Sequence, residues 1–191
     1  MAYVASTTRI GIVDLASVAV TLGTPGNSQL PSVTLEPQLG EIATGWDPNL
    51  GGGEFMYLKA AGTIAQYTVC ELSYSLAAGY LTITATPWAG TALSGKPLCV
   101  ALNAMTVNQY SWFQIQGSAI AVTNGTDAVG PVYFQASGVV SSAAVISKQI
   151  INATIAVTHG AVIGQGSTAI TLSGTQAILF INRPCAQGAI T

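Results

Sequence analysis

Charge is what this 191-residue chain has least of: Lys, Arg, Asp and Glu together make up 6% of it, against roughly 25% in an average soluble domain. Five basic and seven acidic residues leave a net charge of −2. A folded monomer of this mass exposes on the order of 8,500 Å², so each formal charge would serve roughly 700 Å² of surface. Charge and hydration keep isolated soluble proteins apart, and a surface this neutral suits a protein whose faces are covered by neighbours. No basic patch is visible, which argues against direct nucleic-acid binding.

Long apolar runs are also missing, although 50% of the residues are hydrophobic and the mean hydropathy is +0.52. A spanning helix needs about 20 consecutive, mostly apolar residues. The charge-free stretch from Leu98 to Thr126 is broken by Asn103, Thr106, Asn108, Gln109, Ser111, Gln114 and Gln116. The N-terminus has neither the basic cluster nor the apolar run of a signal peptide. No membrane partner is expected, and synthesis in a cytoplasm is.

Histidine occurs once, at His159, with no carboxylate near it in sequence, so a base-activated nucleophile has no marked partner. Cys70, Cys99 and Cys185 are far apart and form no CxxC pair; an odd count without a secretory leader reads as reduced thiols serving as small buried hydrophobes. After Glu54 the only acids are Glu71 and Asp127, a poor basis for a glycosidase pair. Neither Gly51-Gly52-Gly53-Glu54 nor Ser94-Gly95-Lys96-Pro97 is a P-loop, and Gly164-Gln165-Gly166 lacks the rest of a dinucleotide fingerprint. Asn124-Gly125-Thr126 and Asn152-Ala153-Thr154 match the glycosylation sequon, which carries weight only in a secreted protein. The chain is therefore read as a non-enzyme: catalytic residues none, cofactors none, metal none.

What is abundant is β signal. Segments rich in Val, Ile, Thr and aromatics recur between Gly, Pro, Asn and Ser clusters: Phe55–Lys59, Gln66–Leu72, Tyr80–Thr86, Leu98–Leu102, Ser111–Val122, Val132–Ser137, Ile150–Thr158 and Ala177–Asn182. From Leu81 to Thr86 apolar and hydroxyl residues alternate strictly, as in a strand with one buried face. Asn124-Gly125 is a turn signal. No amphipathic helix or internal repeat is evident. The expected fold is all-β, a compact β-sandwich or β-barrel. Four of the eight prolines fall in the first fifty residues, so residues 1–53 read as an extended arm or irregular leader and residues 54–191 as the β-rich domain; the alternative is that the first 53 are an edge strand and loops of the same domain. Alternation sends Trp112 and Phe113 to opposite faces of their strand; the plain reading is a two-sheet core with one layer covered, the sharper one burial of both faces, one inside the domain and one at a subunit interface.

The series Gly53–Ala60, Gly62-Thr63-Ile64, Asn108–Gly117, Val132–Gly138 and Ile181-Asn182-Arg183-Pro184 resembles small head-associated proteins of tailed bacteriophages, the capsid decoration or cement proteins. The resemblance spans residues 53–184 and leaves the first 53 unmatched. It implies a structural virion protein on the capsid exterior, made in the bacterial cytoplasm, whose partners are the major capsid protein and copies of itself in a homo-oligomer. A trimer suits threefold lattice junctions. The alternative is a tail or fibre component recognising a host surface, glycans included, through Trp46, Trp88 or Trp112; its sign would be an exposed aromatic platform beside polar groups.

Overall fold

The computed structural model describes residues 4–5, 18–19, 39–77, 80–164 and 169–188. In chain order the strands are β1 (Val4–Ala5), β2 (Val18–Ala19), β3 (Ile42–Asp47), β4 (Gly51–Ala60), β5 (Val69–Ala77), β6 (Tyr80–Pro87), β7 (Leu98–Ala101), β8 (Tyr110–Val122), β9 (Gly130–Ala136), β10 (Val139–Ser141), β11 (Gln149–Val157), β12 (Val162–Ile163), β13 (Ile170–Thr171) and β14 (Gln176–Ala186). The fold is all-β, with no helix among the described residues. Each of the eight segments picked out by residue type overlaps a strand, although Gln66–Leu72 becomes strand only from Val69. Apart from the two-residue pieces β1 and β2, residues 1–38 of the expected arm lie outside the described residues. From Leu39 the chain is in the fold. Trp46-Asp47-Pro48-Asn49 is the turn of a β3–β4 hairpin, in which Asp47 Oδ1 accepts from the Asn49 and Leu50 amides at 2.8 and 3.0 Å.

The strand pairings close two rings. β4 pairs β6 in parallel through Lys59↔Thr84 and Ala60↔Ala85. β6 then pairs β5, β5 pairs β7, β7 pairs β8, and β8 returns to β4 through seven register pairs, all antiparallel. In the second ring the end of β8 meets β10 in parallel at Thr123↔Val140. β10 pairs β9, β9 pairs β11, β11 pairs β14, and β14 returns to β8. Taken in chain order, both rings place strand one beside three in parallel, then two, four and five in turn. The molecule is thus two five-stranded barrels of one topology joined on a common strand, with β8 closing the first and opening the second.

Although the sequence suggests no repeat, traces of one remain. Gly62-Thr63 follows the parallel contact at Ala60, and Gly125-Thr126 follows that at Thr123 at the same spacing. The turn before each closing strand is built alike. Gln109 Oε1 accepts from the Thr106 amide at 2.7 Å, and Gln176 Oε1 accepts from the Ser173 amide at 3.1 Å.

Each barrel is filled by inward residues of alternate parity, as the pleat requires. The first holds Leu58, Ala60, Cys70, Leu72, Ile83, Ala85, Cys99, Ala101, Phe113 and Ile115 among others. The second holds Ala119, Ala121, Val132, Phe134, Val140, Ile150, Ile155, Leu179 and Ile181. That second core also takes in Val69, Trp88, Leu98 and Val100 from the first barrel, so the two barrels pack on one another. Trp112 packs outside the first barrel with Ala43, Phe55, Tyr57 and Leu102. Both faces of the Trp112–Phe113 strand are buried, but within one chain. The second face is covered by β3 and β4 of the same chain and needs no other subunit to bury it.

Candidate interaction surfaces

Three of the five segments that carry the sequence resemblance, Gly53–Ala60, Asn108–Gly117 and Ile181–Pro184, meet where the barrels share β8. Gln116 and Gly117 pair with Glu54 and Gly53 on β4 and with Asn182 and Ile181 on β14, so those two strands flank β8 on opposite edges. Gly117 has φ +100°, and a β-carbon there would run into the Gly52 carbonyl oxygen; one on Gly53 would lie 2.9 Å from the Gln116 carbonyl oxygen. Gly53 and Gly117 therefore mark a close backbone crossing. Gln114, fully buried, donates from Nε2 to the Gln116 and Ser118 carbonyls at 3.1 Å each. Arg183 reaches across β8 to Glu54 at 2.8 Å. Gln114, Glu54 and Arg183 thus serve the fold at this junction.

The residues weighed for chemistry stay apart. Glu71 pairs with Lys96 at 2.9 Å on the first barrel, while Asp127 accepts from the Ser142 amide at 3.1 Å on the second. His159 lies half-buried beyond the end of β11 with Nδ1 unpartnered. Among the described residues no three His, Cys, Asp or Glu side chains gather as a metal site would require. Cys70 and Cys99 face one another across β5 and β7 inside the first barrel as free thiols. Burial pushes both thiols well above the ordinary range, with the Glu71 charge adding to the effect at Cys70 and Cys70 adding to it at Cys99.

Two surfaces stand out. The first is the β5–β6 hairpin. Cys70 and Leu72 on β5, with Ile83 and Ala85 on β6, point into the first barrel, and the same face continues outward as Tyr74, Leu76 and Leu81. These three are 56, 75 and 58% exposed, so the barrel's apolar lining runs out along a projecting ribbon. No charged residue occurs between Glu71 and Lys96.

The second is an open cleft on the outer face of β11 and β14. Here β11 bulges against both neighbours: Ile151, Asn152 and Ala153 have no counterpart on β9, and Asn152 alone opposes Asn182, Arg183 and Pro184. Asn152 and Arg183 both take left-handed backbone, at φ 59° and 47°, a conformation that asparagine tolerates better than most residues. The space left is about 380 Å³, bounded by Gln149, Asn152, Thr154, Phe180 and Asn182. Phe180 is 56% exposed.

Of the three tryptophans named for surface recognition, Trp88 and Trp112 are buried and only Trp46 is exposed. The exposed aromatic flanked by amides is Phe180, which residue type alone did not single out. Compared with known proteins, the chain matches no family model and no curated protein sequence.

Proposed function

We propose that this chain is a structural virion protein, a decoration or cement protein that binds the exterior of a tailed-phage head. In this reading it braces capsomer junctions as a homo-oligomer, a trimer fitting threefold sites, with the major capsid protein as partner and no enzymatic activity. The observation that carries the reading is the uncovered apolar hairpin bearing Tyr74, Leu76 and Leu81 on a charge-poor molecule. Such a surface binds by excluding water rather than by ion pairing. A partner that offers its site only when assembled is stabilised by whatever binds that site, which is how a cement protein strengthens a shell.

The test is cryo-electron microscopy of particles carrying the wild-type chain and the double variant Leu76→Asp, Leu81→Asp. Both positions are exposed, so the variant keeps its core. Regular density on the head exterior, lost in the variant, supports the proposal. Density confined to the tail, or on no particle, refutes it, and exterior density unchanged in the variant removes the hairpin as the contact.

A further inference from the structure

We infer that the β11–β14 cleft is a binding site for a neutral saccharide, an activity separate from attachment to a shell. Its lining gives the chemical class. Gln149, Asn152 and Asn182 present side-chain amides, Thr154 presents a hydroxyl, and none of these side chains is taken up by a hydrogen bond to described residues. An amide offers both donors and acceptors on a rigid plane, which matches adjacent hydroxyls that also donate and accept. Phe180, directly opposite Thr154 in the ladder, exposes a ring of the kind that packs on the apolar C–H face of a sugar. Ile150 and Ala153 form a buried apolar floor, and Ile151 gives a partly exposed apolar wall.

The same lining argues against other ligands. No Asp, Glu, Lys, Arg or His side chain borders the cleft, and the neighbouring Arg183 is engaged by Glu54. An anionic glycan, a phosphate or a nucleic acid would meet no cation. An extended peptide needs a free strand edge, and at the cleft β14 is paired on both edges, while β11 lacks a partner there only along its short bulge. The strained backbone at Asn152 and Arg183 sits at the rim, where bulges commonly re-aim side chains toward a ligand.

The test uses the full chain, ¹⁵N-labelled, titrated with neutral oligosaccharides of glucose, galactose, rhamnose and N-acetylglucosamine, with a sialylated trisaccharide and oligothymidylate as anionic probes. Amide shifts confined to residues 149–154 and 180–182 with at least one neutral sugar are expected. Phe180→Ala should weaken that binding by roughly tenfold, the size of one lost ring contact. Asn152→Gly, which keeps the left-handed backbone and removes only the amide, should weaken it as well. Shifts from the anionic probes alone, shifts mapping elsewhere, binding indifferent to both variants, or no response to millimolar sugar would each overturn the assignment. Capsid attachment is read separately by microscopy, so either result can fail without the other.

Discussion

Trp88, carried by the first barrel, meets Phe134 of the second edge to face, with ring centroids 5.0 Å apart and planes at 67°. Trp88 is fully buried, its amide donates to Val69 O, and its own carbonyl accepts from Gly138 N. Gly90 sits so close that any β-carbon would enter the Phe134 ring. With the shared β8 and the mixed core around it, this contact ties the two barrels together. Wild-type protein should melt in a single calorimetric transition. Trp88→Ala should cost about 3–5 kcal/mol and lower the transition temperature. A single unshifted transition in the variant would count against the coupling.

At the junction itself, Gly117→Ala should destabilise by at least about 1–3 kcal/mol, since it combines left-handed backbone with overlap on the β4 main chain. Gly62 has open space around it and no left-handed φ, so Gly62→Ala should stay within about 0.5 kcal/mol of wild type. Urea midpoints of the two variants decide the matter.

The two ion pairs should differ. Arg183 and Glu54 are 61 and 27% exposed, and Arg183→Met should cost under about 1 kcal/mol. Glu71 is only 13% exposed with a second oxygen already unpartnered. Lys96→Met therefore strands a largely buried carboxylate and should cost about 1–3 kcal/mol. Equal losses in chemical denaturation would contradict this.

Cys70 and Cys99 should resist iodoacetamide at pH 8 while Cys185, only half-buried, reacts; all three should react in denaturant, as intact-mass analysis would show. Their folded pKa values are raised by burial, so the folded state holds protons that the unfolded chain releases above about pH 8.5. Their contribution to stability is therefore fully present below that pH and lost as pH rises beyond it. The urea midpoint of wild type should fall more steeply between pH 8 and 10.5 than that of Cys70→Ala, Cys99→Ala.

If the apolar hairpin is the docking surface, binding to shells should change little between 0.05 and 0.5 M salt, with screening lengths of roughly 14 and 4 Å. Release of the protein in moderate salt, measured by particle sedimentation, would point to ion pairing instead.

Strands long enough to show alternation or β-branched enrichment were legible in the sequence: Leu81–Thr86 and Ser111–Val122 are clear cases. β10 was not, because Val139–Ser141 is too short to carry a period. β3 was obscured by Gly45 and by Pro48, which read as punctuation although Asp47 ties the turn into a hairpin. A barrel was one of the two expected architectures, but which strands close each ring was not legible, since closure rests on contacts such as Thr123↔Val140 that no local pattern announces. At the saccharide cleft, Phe180 hides within the apolar run Ala177–Ile181. Only strand parity, with Ala177, Leu179 and Ile181 inward, sends its ring outside. The left-handed backbone at Asn152 and Arg183 leaves no mark in composition.

Because β8 belongs to both rings, the molecule makes two barrels from nine strands where separate ones would need ten. A third could be added with four more, β14 taking the part β8 plays now. Growth by that rule yields an array without linkers, lengthened one unit at a time, in which no unit can be cut out whole without opening its neighbour.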